Sequence, residues 1–155
     1  MKAAVYETYG SADVVAIKEI EQPVAGDKEV LVTVSATSVT TGDWRLRASA
    51  FPCPFWRVGR LMFGLLRPRN RILGMEFSGT VAAVGSGVTR FNVGDAVFGF
   101  AARGAHAQYL ASAEDAAIAR KPDNIGFDEA AAVPFGAISA LVFLRDFAGL
   151  RAGQK

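Results

Sequence analysis

The sequence predicts a mainly β domain with short helices, an α+β chain built around a compact antiparallel sheet. Residues 76–84 and 96–100 are short apolar runs joined by glycine-rich turns at 84–87 and 91–95. Residues 29–38, EVLVTVSATS, set Val30, Val32 and Val34 against Leu31, Thr33 and Ser35, a period of two with one wholly apolar face. The 16 glycines add to the picture of a turn-rich fold rather than a helical one.

Taken in order, residues 2–6 read as a first strand and 14–20 as a second, with Tyr9-Gly10-Ser11 turning between them. Pro23 and Gly26-Asp27 interrupt the pattern before the strand at 29–38. Thr40 to Arg47 reads as a turn entering a short helix, and 59–66 as a short amphipathic helix. Residues 127–147 read as helix in two pieces. Asp128 and Glu129 suit its positive end, Pro134 is expected to end or kink the first piece, and Gly149 is placed just past the end.

A chain of 155 residues, 51% hydrophobic, can bury a real core. Its formal charge of +2 is small for a general nucleic-acid binder, and no nucleic-acid partner is expected. A lone cysteine, Cys53, excludes an internal disulfide framework and points to a reducing, cytoplasmic setting. The N-terminus lacks the apolar core of a signal peptide, and no uninterrupted apolar run approaches the ~18 residues of a membrane span. No membrane partner is expected.

Gly74-Met75-Glu76-Phe77-Ser78-Gly79 is similar to the G-x-E-x-x-G signature of the medium-chain dehydrogenase/reductase superfamily. Val84-Gly85-Ser86-Gly87-Val88-Thr89-Arg90-Phe91 with Val93-Gly94-Asp95 resembles its V-G-x-G-V-x-x-F-x-x-G-D run. Gly104-Ala105-His106-Ala107-Gln108-Tyr109-Leu110 resembles its G-[AG]-x-A-E-Y-x strand, and residues 116–122 resemble its strand leading into a K-P-D turn. That resemblance, extending over most of the chain, lies toward the zinc-free quinone oxidoreductase group. It implies a GroES-like, partly open β-barrel over residues 1–125 as the catalytic, substrate-binding domain. Residues 126–155 are then a helical linker toward a Rossmann nucleotide-binding domain. No G-x-G-x-x-G follows a strand in this sequence. The expectation is therefore a catalytic half that by itself neither holds dinucleotide tightly nor turns over.

The resemblance also implies roles. Zinc relatives carry ligands at the positions of Thr40, Met75 and Phe135, and none of these three is a plausible zinc ligand. No metal is expected. Thr40, Asp43 and Trp44 are the catalytic candidates, with Asp43 orienting the Thr40 turn. Thr40 and Ser139 are candidates for hydrogen bonds to a nicotinamide, whether NADP(H) or NAD(H). An alternative for Ser139 is a hydroxyl bonded back to its own helix. Trp44, Phe55 and Phe135 are placed in the wall of a substrate pocket.

The implied activity is hydride transfer from the nicotinamide to a small quinone, enone or carbonyl compound. No convincing proton donor stands out, although Tyr6, Tyr9 and Tyr109 are available. His106, the sole histidine, reads as an ordinary strand residue. Seven arginines between Arg45 and Arg71, with no acidic residue among them, read as a solvated basic face. The aromatic residues interleaved with them read as a pocket cap, and a membrane-surface role is the weaker alternative. A stand-alone GroES-like binding or assembly module without catalysis is the other class in play. A homodimer through an exposed strand edge is compatible with either.

Overall fold

A computed structural model describes residues 1–154. The elements run β1 (Lys2–Tyr6), β2 (Val15–Glu19), β3 (Glu29–Thr37), α1 (Thr41–Ala48), α2 (Trp56–Phe63), β4 (Glu76–Val84), β5 (Ala96–Phe100), β6 (Tyr109–Ala113), β7 (Ile118–Arg120) and α3 (Phe127–Leu141). A π-helical segment, Val142–Phe147, continues α3.

Five strands form one antiparallel sheet in the order β6-β3-β4-β5-β7. The β1–β2 hairpin is a separate two-stranded sheet. Isolated bridges, Ala3 to Ala107 and Val5 to Ile72, join the hairpin to the rest without a continuous ladder. The result is the partly open, mainly β architecture the sequence predicts.

The period-two pattern places the core. Val30 and Val32 of β3, Phe77 and Val81 of β4 and Val97 of β5 are fully or almost fully buried in one cluster with Phe91, Leu110 and Ile118. Each such side chain contributes about 1.5–3 kcal/mol relative to exposure.

Two expectations need correction. Residues 104–108 are not strand: β6, one edge of the larger sheet, starts at Tyr109. The amides of Ala105 and His106 are used instead on the carbonyls of Gly74 and Leu73, which folds this stretch across the start of β4. Pro134 neither ends nor splits the helix, which runs from Phe127 to Leu141. A long-range contact, described below, satisfies the amide that follows the proline.

The unbroken helix changes the membrane arithmetic too. Phe127–Phe147 is 21 residues long, and an 18-residue stretch within it has a mean hydropathy of 1.6, enough by length and composition to cross a bilayer. Ala130, Ala131 and Pro134 of its first half are buried. Ser78 of β4 anchors the helix start, its hydroxyl donating to the Phe127 carbonyl at 2.6 Å.

Candidate active site

The site is assembled around Gly74-Met75-Glu76, where the chain enters β4. α1 begins opposite it. Thr40 is the N-cap, and its hydroxyl accepts from the Asp43 amide at 3.3 Å. The Asp43 carboxylate closes the reciprocal half of this capping box, taking the Thr40 amide on Oδ2 at 2.8 Å. Oδ2 also takes the Thr40 hydroxyl at 2.8 Å. Oδ1 takes the Gly74 amide at 2.8 Å. Asp43 is only 2% exposed, so it holds the Thr40 turn against the Gly74 strand entry from a buried position.

Those bonds decide what Thr40 can do. A carboxylate only accepts, so the Thr40 hydroxyl proton points at Asp43. The hydroxyl oxygen keeps lone-pair capacity beyond the long bond from the Asp43 amide. Thr40 is thereby an acceptor for an incoming N–H, not a donor to a carbonyl.

Glu76 is the second tie. It is 3% exposed and pairs with no cation among the described residues. Oε1 accepts the backbone N–H of Phe135 at 2.6 Å. Oε2 accepts the Ser38 hydroxyl. The Ser38 carbonyl faces His106 Nε2 at 3.0 Å, and because a carbonyl only accepts, the Nε2 nitrogen carries the proton. Met75 lies beside the start of α1. A Cβ built on Gly42 would come 2.9 Å from the Met75 sulfur and 3.2 Å from the Thr40 hydroxyl. Phe135 stacks on Phe100, ring centroids 6.2 Å apart.

Two cavities flank the Asp43 turn. A groove of about 660 Å³ runs between the β1–β2 hairpin and the end of β3, lined by residues including Ile17, Val34, Asp43, Trp44 and His106. A small cavity of about 60 Å³ on the other side is lined by Tyr6, Asp43, Met75 and Arg103 among others. It is large enough to hold ordered water. Burial, with Tyr9 and Asp43 nearby, pushes the Tyr6 phenol up to about 12.

The site residues read from sequence therefore divide. Thr40 and Asp43 are bonded together, and Asp43 and Trp44 share the larger groove. Phe135 joins them through Glu76 and the β4 entry, but lines neither of the two cavities. Ser139 is half-buried on α3, and its hydroxyl makes no hydrogen bond among the described residues. Phe55 is exposed just before α2, outside both cavities. Sequence reading passed over Glu76 as a site residue, along with Ser38 and His106. The available signal was a glutamate opening a strand otherwise made of small and apolar residues, EFSGTVAAV.

The alcohol dehydrogenase GroES-like domain family matches residues 26–146. The chain belongs to that family. It is 31% identical over 150 residues to a quinone oxidoreductase of Pseudomonas aeruginosa, covering 96% of this chain and 42% of the relative. A solved quinone oxidoreductase from Coxiella burnetii superimposes with a TM-score of 0.82 at 27% identity, over 99% of this chain and 46% of that one. A quinone oxidoreductase of Escherichia coli complexed with NADPH superimposes with a TM-score of 0.79 at 25% identity, over 95% of this chain and 41% of that one. The GroES-like domain described here thus spans less than half the length of the oxidoreductases it resembles.

The donor set does not suit zinc. Thr40, Met75 and Phe135 offer a protonated hydroxyl, a thioether and a phenyl ring, where a catalytic site needs three ligands of the thiolate, imidazole or carboxylate kind. The Thr40 oxygen can accept an N–H group, and the Ser139 hydroxyl has no hydrogen-bond partner among the described residues.

Proposed function

We propose that this domain is the substrate side of a zinc-independent, NAD(P)H-dependent oxidoreductase acting on quinones, enones or related carbonyl compounds. Residues 1–125 supply the substrate domain. Residues 126–155 lead toward a nucleotide-binding domain that provides most of the dinucleotide contacts. The bound nicotinamide supplies the hydride. The observation that carries the reading is the Thr40–Asp43 pair. Its buried carboxylate commits the hydroxyl proton and leaves an oxygen ready to accept the carboxamide. Asp43 fixes that oxygen, Ser139 offers a second hydroxyl, and Trp44 supplies apolar surface in the larger groove beside the Asp43 turn.

The test uses the full product of the gene that encodes this sequence. Oxidation of NADPH and NADH is followed with a quinone and an enone, alongside metal analysis. Turnover without stoichiometric zinc is expected, and Thr40→Val should lower it about tenfold, the loss of one hydrogen bond. One zinc per chain, or no oxidation of either cofactor, sinks the reading.

A second reading, an assembly module without catalysis, draws on the exposed Phe143, Leu144 and Phe147. A defined oligomer combined with no nicotinamide oxidation would favour it.

A further inference from the structure

Helix α2 turns its apolar side away from the protein. Gly59 is buried, and Phe63 faces inward, stacking on Phe51 with ring centroids 5.5 Å apart. Arg60 is also held inward, its guanidinium 4.2 Å from the Tyr9 ring centroid. Val58, Leu61 and Met62 occupy the opposite side by the 3.6-residue period, and all three are exposed. Leu65 and Leu66 continue this surface beyond the helix, with Leu66 84% exposed. None of these five residues lines the two cavities at the Asp43 turn. An ordinary surface helix has the reverse polarity.

The charge carried by the segment around this face has one sign. Between Asp43 and Glu76 the sequence holds seven arginines and no acid. Arg47 is used on the Gly10 carbonyl, Arg60 on Tyr9, and Arg71 lies 3.9 Å from Glu7. Arg45, Arg57, Arg67 and Arg69 remain exposed, with no ion pair among the described residues.

We infer that α2 and the loop after it form a docking surface for an anionic lipid bilayer, with Leu61, Met62, Leu65 and Leu66 inserting among acyl chains and Arg57, Arg67 and Arg69 meeting the headgroups. An apolar centre with a mainly cationic rim, in which Glu7 beside Arg71 is the acidic member, complements that surface on both counts. A second copy does not fit as well, because a two-fold contact would set the same arginines against each other. The other exposed apolar face, on α3 and the π-helical segment, lacks this complementarity. Its flanking charges include Asp128, Glu129 and Asp146, and its one arginine, Arg145, pairs with Asp146. This surface departs from the membrane-free partner set expected from sequence and does not depend on the oxidoreductase reading.

Co-sedimentation of the full chain with phosphatidylcholine vesicles, with and without phosphatidylserine, tests it. Binding is expected only with phosphatidylserine and should weaken as salt rises. Arg67→Glu with Arg69→Glu should weaken it roughly tenfold or more. Leu61→Asp with Leu66→Asp should remove it, while Ile138→Asp with Phe143→Asp should leave it intact. Because all six positions are exposed, unchanged circular dichroism will show that the fold survives. With Trp44 replaced by Phe, Trp56 emission should shift to the blue on the phosphatidylserine vesicles. Absence of pelleting overturns the inference. So does equal pelleting on both vesicle types, or equal loss in the α2 and α3 variants.

Discussion

The backbone N–H of Phe135 donates to the buried Oε1 of Glu76 at 2.6 Å, across 59 residues of sequence. Phe135 follows Pro134 directly, and a proline inside a helix disturbs the ladder around it. The Glu76 carboxylate gives that amide a charged acceptor and so holds the helix together where local preference would break it.

Glu76→Ala should therefore cost about 3 kcal/mol in urea unfolding, because the Phe135 amide and the Ser38 hydroxyl both lose a charged partner. Glu76→Gln keeps one acceptor oxygen and should cost less than half as much. Hydrogen exchange is the sharper check. Amide protection at Phe135 should fall in Glu76→Ala before that of Val32 or Val81 does. A uniform loss across the sheet would mean that the contact does not hold the helix.

Asp43→Asn tests the capping turn. Both Thr40 donors aim at Oδ2 and the Gly74 amide aims at Oδ1. An asparagine amide has one acceptor oxygen, so either orientation sets a donor against a donor. A loss of about 2 kcal/mol is expected for this buried mismatch, measured as a shift in the urea midpoint at constant slope. An unchanged midpoint would count against the geometry.

Gly74 and Gly94 make a matched pair. Both have φ of +95°. A Cβ on Gly74 would fall 2.4 Å from the His106 backbone nitrogen, whereas one on Gly94 meets nothing within 4 Å. Gly94→Ala should cost only the left-handed backbone, about 1 kcal/mol. Gly74→Ala should cost about 3 kcal/mol or more, since the chain must also move. Equal thermal midpoints for the two variants would contradict the close crossing at Gly74.

Tyr6 sets an alkaline limit. Its phenol is raised from 10.0 to about 12 in the folded chain, by burial first and then by Tyr9 and Asp43. The unfolded chain therefore releases this proton at lower pH than the folded one. The stabilisation is fully present below pH 10.0 and is lost as pH climbs to about 12. Tyr6→Phe should flatten the fall in urea stability across that window. A variant that falls as steeply as the parent would assign the alkaline loss to other groups.

Much of the fold was legible in the chain itself. Alternating valines in β3, the small-residue run of β4 and the glycine turns between β4 and β5 carry their information locally, within a few residues. The Thr40–Asp43 capping turn is likewise local, its partners three residues apart. Glu76 could not be placed so easily. Its partners, Ser38 and Phe135, lie 38 and 59 residues away, and no propensity reports a bond made across that separation. The same holds for His106, whose loop is fixed by Leu73 and Gly74 rather than by its own strand-like pattern.

The sequence by itself determined the sheet, its turns, the family signature and the residue types around the candidate site. Side-chain period and glycine conformation are properties of the chain as it runs. Tertiary structure alone decided that α3 passes intact through Pro134, that Asp43 also takes the Gly74 amide, and that α2 faces outward with its apolar side. Each of those depends on which distant group fills a hydrogen bond or covers a surface, and burial settles such choices only once the sheet has closed around them.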